Sequence, residues 1–347
     1  MQPEGPPQVS VILPVRDGER WLRDAVDSLL AQTLSDLELV VIDDGSADAT
    51  PAILDEVRAR DPRVVVLRQE REGLVAALNR GLAQARAPLV ARLDADDIAL
   101  PGGLSRQCEY LRAHPDVVLL GGWAETMDEE GGSRGKQMHP RPGRLRETLR
   151  RKNPFIHSTV MFRAEAARKI GGYRAAFEAA EDYDLWLRLA EIGEIAILPE
   201  VLIRYRVHGG SVTRTKALRQ LYSDRLARLA ASARRAGHAD PAAEITAPPD
   251  WHANNPGAFE RDSSRLFRML ALADPELARA AEPSSIDVEA ITSQLATLTA
   301  GERKFAQAAV LNVLREHADT HGASRFALLA LVLRLGPIKA VKMLLKK

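Results

Sequence analysis

The chain has 347 residues, 46% of them hydrophobic and 27% charged, with a net charge of +1. That length favours two domains over one, and the near-neutral balance offers no electrostatic footprint for nucleic acid. A single cysteine, Cys108, excludes an intramolecular disulfide and a cysteine-based zinc site and fits a reducing compartment.

Val9-Ser10-Val11-Ile12-Leu13 reads as a strand stopped by Pro14. Trp21, Leu22, Ala25, Val26, Leu29 and Leu30 then recur with the spacing of one apolar helical stripe. Leu39-Val40-Val41-Ile42 is a second strand, followed by Asp43-Asp44-Gly45-Ser46 and by Thr50-Pro51, which reads as helix N-cap and first helical position. Val64 to Leu67 is a third strand, Leu74 to Ala85 a helix, and the run ending at Asp94 a fourth strand. Such alternation implies right-handed βαβ crossovers and a doubly wound parallel sheet covered on both faces.

Beyond residue 116 the pattern is mixed. Val117-Val118-Leu119-Leu120 reads as a strand stopped by Gly121-Gly122, residues 128–143 as a mobile surface loop, and Asp184 to Leu189 as helical. Ala/Leu/Arg-rich helical stretches come after Gly209-Gly210, so a boundary is placed near residue 215, between a domain of residues 1–215 and a helical region of residues 216–347. The opening MQPEGPPQ has no signal-peptide pattern and no apolar run is long enough to span a membrane, so a cytoplasmic chain is expected. The tail, residues 326–347, carries five basic and no acidic residues split by Gly336-Pro337. It reads either as a packed helix pair or as a peripheral attachment to an anionic membrane surface.

Chemistry concentrates at two acidic clusters, Asp43-Asp44 and Asp94-Ala95-Asp96-Asp97, each after an apolar strand. In open α/β sheets ligands bind at the carboxyl ends of strands. Crowded carboxylates there need a cation or donor groups. One cluster alone would be read as a turn, but two on neighbouring strands point to a metal and polyphosphate site. PVRDGERW after the first strand lacks the G-x-G-x-x-G phosphate nest, so a nucleotide diphosphate needs neutralising otherwise. Asp94 and Asp96, two apart in an extended segment, suit Mg2+ or Mn2+. A third acidic group, Glu181-Asp182 with Asp184, fits either helix capping or a general base.

SVILPVRDGERWLRDAVDSLLAQT, LELVVIDDGSADAT, GLVAALNRGL, ARLDADDI, GGYR with EDYDLWLRL, and IRYRVHGGSVT succeed one another in this order. Over roughly residues 8 to 213 the set resembles the family 2 inverting glycosyltransferases of the GT-A fold. The resemblance implies a doubly wound, mainly parallel but mixed sheet followed by a helical C-terminal region. It implies transfer of a sugar, with inversion, from a nucleoside-diphosphate sugar to a saccharide or lipid-linked hydroxyl, in synthesis of bacterial cell-surface polysaccharide or glycolipid. By the same resemblance Asp44 contacts the nucleobase and Glu19 lies near base and ribose. Pro14, Val15, Arg16, Asp94 and Ala95 line the donor, and Asp96 binds the metal, Mn2+ or Mg2+, with His208 close to it. Asp182 is the catalytic base, and His157 and Glu181 belong to the acceptor side. Two departures stand out: Arg16-Asp17 replaces the family's usual aromatic residue and Asn, and Ala77-Leu78-Asn79 replaces A-R-N, which removes a positive charge.

Two other functions compete. The Asp94-Ala95-Asp96-Asp97 run raises a haloacid-dehalogenase-like phosphatase, but that chemistry puts its aspartates after the first strand and follows them with Gly-Thr or Gly-Val, where Ile98-Ala99 stands here. A non-catalytic acidic-pocket module would use Asp43-Asp44 and leave the other acidic groups without a role.

Overall fold

Short apolar runs alternate with helices through the first hundred residues of the computed structural model, which describes residues 6–137, 144–209, 217–248, 261–273, 278 and 287–316. Strands β1 (Val9–Val15), β2 (Leu37–Asp44), β3 (Val64–Gln69) and β4 (Leu89–Arg92) are separated by helices α1 (Leu22–Leu30), α2 (Thr50–Arg60) and α3 (Leu74–Gln84). They lie parallel in the order β3, β2, β1, β4. The chain thus winds outward from β1 and then crosses back to β4, which opens a crevice at the carboxyl ends where the winding reverses.

After β4 come β5 (Ile98–Ala99), α4 (Gly103–Ala113), β6 (Val117–Met127), β7 (Ser133–Gln137), α5 (Leu145–Leu149), β8 (Met161–Arg163), α6 (Ala164–Lys169), α7 (Glu181–Ile192) and β9 (Glu194–Arg206). Strand β8 runs antiparallel between β4 and β6, and β9 is parallel to β6 and antiparallel to β5. The sheet is therefore mixed, with a parallel half that carries the first acidic cluster. Alternate residues feed two layers. Val11, Leu13, Leu39 and Val41 pack with α1, α2 and α4, while Ile12, Val40 and Ile42 pack with α3 and α7. Helices α8 (Ala217–Arg235), α9 (Arg261–Ala271), α10 (Val288–Thr292) and α11 (Ala300–Glu316) complete the described chain, and buried residues of α8, α9 and α11 join the α3/α7 layer. Cys108 is buried in α4 against Met161, and burial pushes its thiol up to about 11, as for an unreactive packed side chain.

Several local expectations are corrected. Strand β1 continues through Pro14: Ile12 directs its carbonyl toward β4, where it accepts from Leu93, and Pro14 shares that direction. Pairing with β4 ends at Ile12, so the missing N–H of Pro14 breaks no ladder bond. Strand β6 likewise runs through Gly121-Gly122. A Cβ there would meet Phe155 Cδ1 at 2.5 Å and Leu202 Cδ1 at 2.2 Å, so the glycines make room for neighbours rather than end the strand. Ala49, not Thr50, is the N-cap of α2, and the Thr50 hydroxyl accepts instead from the amide of Gly18 at 2.8 Å. Residues 128–137, expected as part of a structureless loop, form a hairpin that pairs β7 with β6. The two acidic clusters are not on neighbouring strands, since β1 lies between β2 and β4. The tail at 326–347 lies outside the described residues. Among the described residues no helix is long and apolar enough to cross a membrane.

Candidate functional site

A first group of candidate residues gathers where β1 and β2 end. Asp44 is 5% exposed, and its carboxylate accepts from Gln69 Nε2 at 2.9 Å and from the amides of Glu72 and Gly73 at 2.8 and 3.0 Å. A buried carboxylate so surrounded is held rigid. Asp43 accepts from the amide of Ser46 at 3.0 Å, the turn role that this pair of residues also invites. The loop after β1 is pinned to the loop after β2. The amide of Asp17, at a φ of +51°, donates to Ser46, the amide of Gly18 donates to Thr50 Oγ1, and Glu19 Oε2 accepts from the amide of Ala49. Pro14 and Val15 are buried beneath this crossover, while Arg16 is exposed beside Asp17, 3.7 Å from its carboxylate.

Asp94, Ala95, Asp96 and Asp97 form a turn, not the extended segment expected, closed by the amide of Asp97 donating to the carbonyl of Asp94 at 3.2 Å. Folding back in this way brings one carboxylate oxygen from each of Asp94, Asp96 and Asp97 within 4.8 Å of the others. Hard oxygen donors at that spacing fit a divalent cation of the Mg2+ or Mn2+ type. The three are not equivalent. Asp94 is paired with the buried Arg92 through both of its oxygens. Asp97 is 1% exposed and accepts from the amide of Arg206 at 2.8 Å. Burial, then the charges of Asp94 and Asp96, hold its carboxyl well above the usual range. Asp96 Oδ2 lies 2.8 Å from His208 Nε2, and burial followed by the charge of Asp94 raises its carboxyl against the opposing pull of His208. Strand β9 delivers His208 to this point, with Trp21 against its ring at 4.7 Å and Arg206 over Trp21 at 5.3 Å.

A further group of candidate residues gathers at the start of α7. Glu181 is 5% exposed, and its Oε2 has no hydrogen-bond partner among the described residues. Burial, reinforced by the neighbouring charge of Asp182, pushes its carboxyl up to about 8. Asp182 is half-buried, with Oδ2 accepting from Asn153 Nδ2 at 2.8 Å and Oδ1 accepting from the amide of Tyr183 at 2.6 Å. Burial raises its carboxyl, with Arg92 pulling the other way. His157 is packed edge-on to Trp186 and shares a 3.0 Å hydrogen bond with the Tyr173 hydroxyl. Burial, then the charge of Arg92, holds the imidazole well below its ordinary value, so it is neutral. Asp184 has a different role. Fully buried, it pairs with Arg174 and Arg188 and belongs to the core of the molecule.

Reading the residues in order missed Arg92, Asn153, Ser158 and Arg206, which touch the acidic groups, and Tyr173, which touches His157. Asn153 and Ser158 flank His157 in NPFIHSTV, a segment read only for its histidine. Arg92 had one signal, an arginine inside an otherwise apolar strand, where an unpaired charge is not tolerated.

A family model described as "Glycosyl transferase family 2" matches residues 10–171. Among curated relatives, the amylovoran biosynthesis glycosyltransferase AmsE of Erwinia amylovora is 34% identical over 205 residues, covering 58% of this chain and 77% of that protein. The O-antigen biosynthesis glycosyltransferase WbnJ of Escherichia coli is 33% identical over 211 residues, 60% of this chain and 82% of its own. Among solved structures, the mannosyltransferase PcManGT from Pyrobaculum calidifontis, in complex with GDP-Man and Mn2+, superposes with a TM-score of 0.52 at 19% identity, covering all of this chain and 89% of that one. TarS 1–349 of S. aureus with UDP-GlcNAc gives 0.54 at 13% identity over 94% of this chain and 89% of its own. These matches set aside the phosphatase and the non-catalytic module. With its mixed sheet, its turn of aspartates and its relatives in agreement, the chain belongs to glycosyltransferase family 2 and has the GT-A fold.

Proposed function

We propose that the protein transfers a sugar from a nucleoside-diphosphate sugar to a hydroxyl of a saccharide or lipid-linked acceptor, in one in-line displacement that inverts the anomeric carbon. One observation carries the reading. The aspartate turn after β4 and the Glu181-Asp182 pair of α7, remote in sequence, are held by one short segment, with Asn153 donating to Asp182 and Ser158 donating to Asp94. That shared segment supports a leaving-group site and a base site in one crevice.

The residues divide the work. Asp44 and Glu19, with Arg16 at the rim, face the nucleoside, and Arg16 offers a guanidinium plane for the base where the family has an aromatic ring. Asp96 and His208 would hold a divalent cation, Mn2+ or Mg2+, whose chemistry is to offset charge gathering on the departing diphosphate. Asp182 accepts the proton of the acceptor hydroxyl. Burial makes it a stronger base than a free carboxylate, and the bond from Asn153 fixes where its oxygen points. Glu181 keeps its proton at neutral pH, so the buried pair carries one charge rather than two. The curated relatives named for amylovoran and O-antigen synthesis support a role in cell-surface polysaccharide assembly. We assign the chemistry to residues 1–215 and a supporting role to the helices beyond, with the basic tail lying on the cytoplasmic membrane surface.

Release of nucleoside diphosphate from UDP-, GDP- and dTDP-sugars, with and without Mn2+, tests the reading, because water serves as a slow acceptor. One donor should be turned over in a Mn2+-stimulated reaction that Asp96→Ala abolishes. Release that is equal with and without Mn2+ in both proteins would remove the metal from the mechanism. An α-linked product from an α-linked donor would remove inversion.

A further inference from the structure

Arg92 ends β4 with a side chain only 3% exposed. Both of its Nη atoms donate to Asp94, one to each carboxylate oxygen, and Nη1 also donates to Ser158 Oγ at 3.1 Å. Ser158 Oγ in turn donates to Asp94 Oδ2 and accepts from the amide of Asp94, each at 3.0 Å. A planar guanidinium matched to a carboxylate in this way occupies both oxygens and is the strongest common form of ion pair. The two other carboxylates of the turn meet different partners. Asp97 is sealed in, with Oδ1 on the amide of Arg206 and Oδ2 without a hydrogen-bond partner among the described residues, whereas Asp96 faces His208.

We propose that Arg92 is the positioning residue of the cation site: by taking up Asp94 it keeps that carboxylate out of the metal's shell, and it leaves Asp96 with His208 to meet the ion. The inference rests on the metal-assisted donor site proposed above. Its consequence is a site of moderated charge. Three unpaired carboxylates would bind a divalent cation tightly in the empty enzyme. Cancelling one of them leaves room, in charge and in coordination, for the oxygens of a diphosphate, so that ion and donor bind together.

Binding of Mn2+ alone to the full-length protein, read by the paramagnetic resonance signal of free Mn2+, tests this without any turnover. Freeing the Asp94 charge in Arg92→Met should tighten binding by about tenfold, the effect of one extra charge at short range in a partly solvated site. Asp94→Asn leaves the guanidinium uncompensated and should weaken binding by about tenfold for the same reason. The double variant Arg92→Met/Asp94→Asn contains neither charge and should return to within about threefold of wild type, since a neutral pair of similar size replaces a buried ion pair without a stranded charge. A double variant as weak as Asp96→Asn makes Asp94 a ligand and overturns the proposal. So does a folded Arg92→Met that binds Mn2+ no more tightly than wild type. If Arg92→Met does not fold, Asp94→Asn and the double variant decide by the same criterion. A wild-type protein that takes up no Mn2+ overturns the metal-assisted reading and this inference with it, whereas the double-variant result bears on Arg92 alone.

Discussion

Asp182 accepts from a first-turn amide of α7 and is also the proposed base, and substitution separates the two roles. Asp182→Asn keeps the shape and much of the capping ability, so the fold should persist and donor binding should stay near that of wild type. Turnover should fall roughly a hundredfold or more, the scale of a lost general base. Steady-state kinetics with a fixed donor decide it, and wild-type turnover would return the residue to helix capping. Glu181 gives a prediction for stability instead. Its carboxyl lies at about 8 in the folded protein against an ordinary 4.5. Between those values the folded chain holds a proton that the unfolded chain has released, so raising the pH across this window favours unfolding. Glu181→Gln lacks the titrating group, and its melting temperature should decline less than that of wild type between about pH 5 and about pH 8. Parallel declines in the two proteins would show that Glu181 is not a buried neutral acid. Asp182 and Asp96 were legible in the sequence because their motifs are compact. Arg92 and Asn153 were not, because what they do depends on partners the chain brings from elsewhere.

Strand β6 shows how an element can contradict its own local signals. Gly121-Gly122 reads as a terminator, yet the strand passes through because Phe155 and Leu202 fill the space where side chains would stand. Gly122→Ala should therefore overpack the contact and cost about 1–3 kcal/mol. In a Leu202→Ala background the same change should cost much less, since the clashing atom is gone. Urea unfolding of the four proteins checks this, and equal costs in both backgrounds would mean that Leu202 is not what excludes a Cβ. Pro14 teaches the same lesson at β1, where an absent donor is harmless only because β4 has already ended.

For the molecule as a whole, a largely buried ionic network joins α7 to the C-terminal helices. Asp184 pairs with Arg174 and Arg188 at the heart of α7. Arg174 reaches Asp240, and Arg234 of α8 binds both Asp240 and Glu191. Glu302 of α11, fully buried, adds a second tie through Arg225 and Arg228 of α8. Asp184→Asn leaves Arg188 without its carboxylate and Arg174 with Asp240 alone, and should destabilise the protein by about 3–5 kcal/mol, seen as a lowered denaturation midpoint. A loss below about 1 kcal/mol would mean that water reaches these arginines. The basic tail belongs to this scale as well. Deleting residues 326–347 should leave donor hydrolysis intact and release the protein from anionic vesicles, with salt weakening attachment of the full chain. Full-length protein that fails to float with vesicles at low salt would end the membrane assignment.

Periodicity and strand-end chemistry determined the α/β class, the positions of β1 to β4, the two acidic clusters and the helical C-terminal region, since each is set by neighbours within a few turns or residues. Tertiary structure alone decided that β1 separates β2 from β4, that Asp94-Ala95-Asp96 is a turn, and that Asp184 belongs to the core while Asp182 is half-buried against Asn153. It also decided that Arg92 claims Asp94. The physical reason is the same throughout: strand order, burial and ion pairing depend on residues distant along the chain, and the desolvation that raises Glu181 or commits Arg92 to a carboxylate exists only once those residues have packed around it.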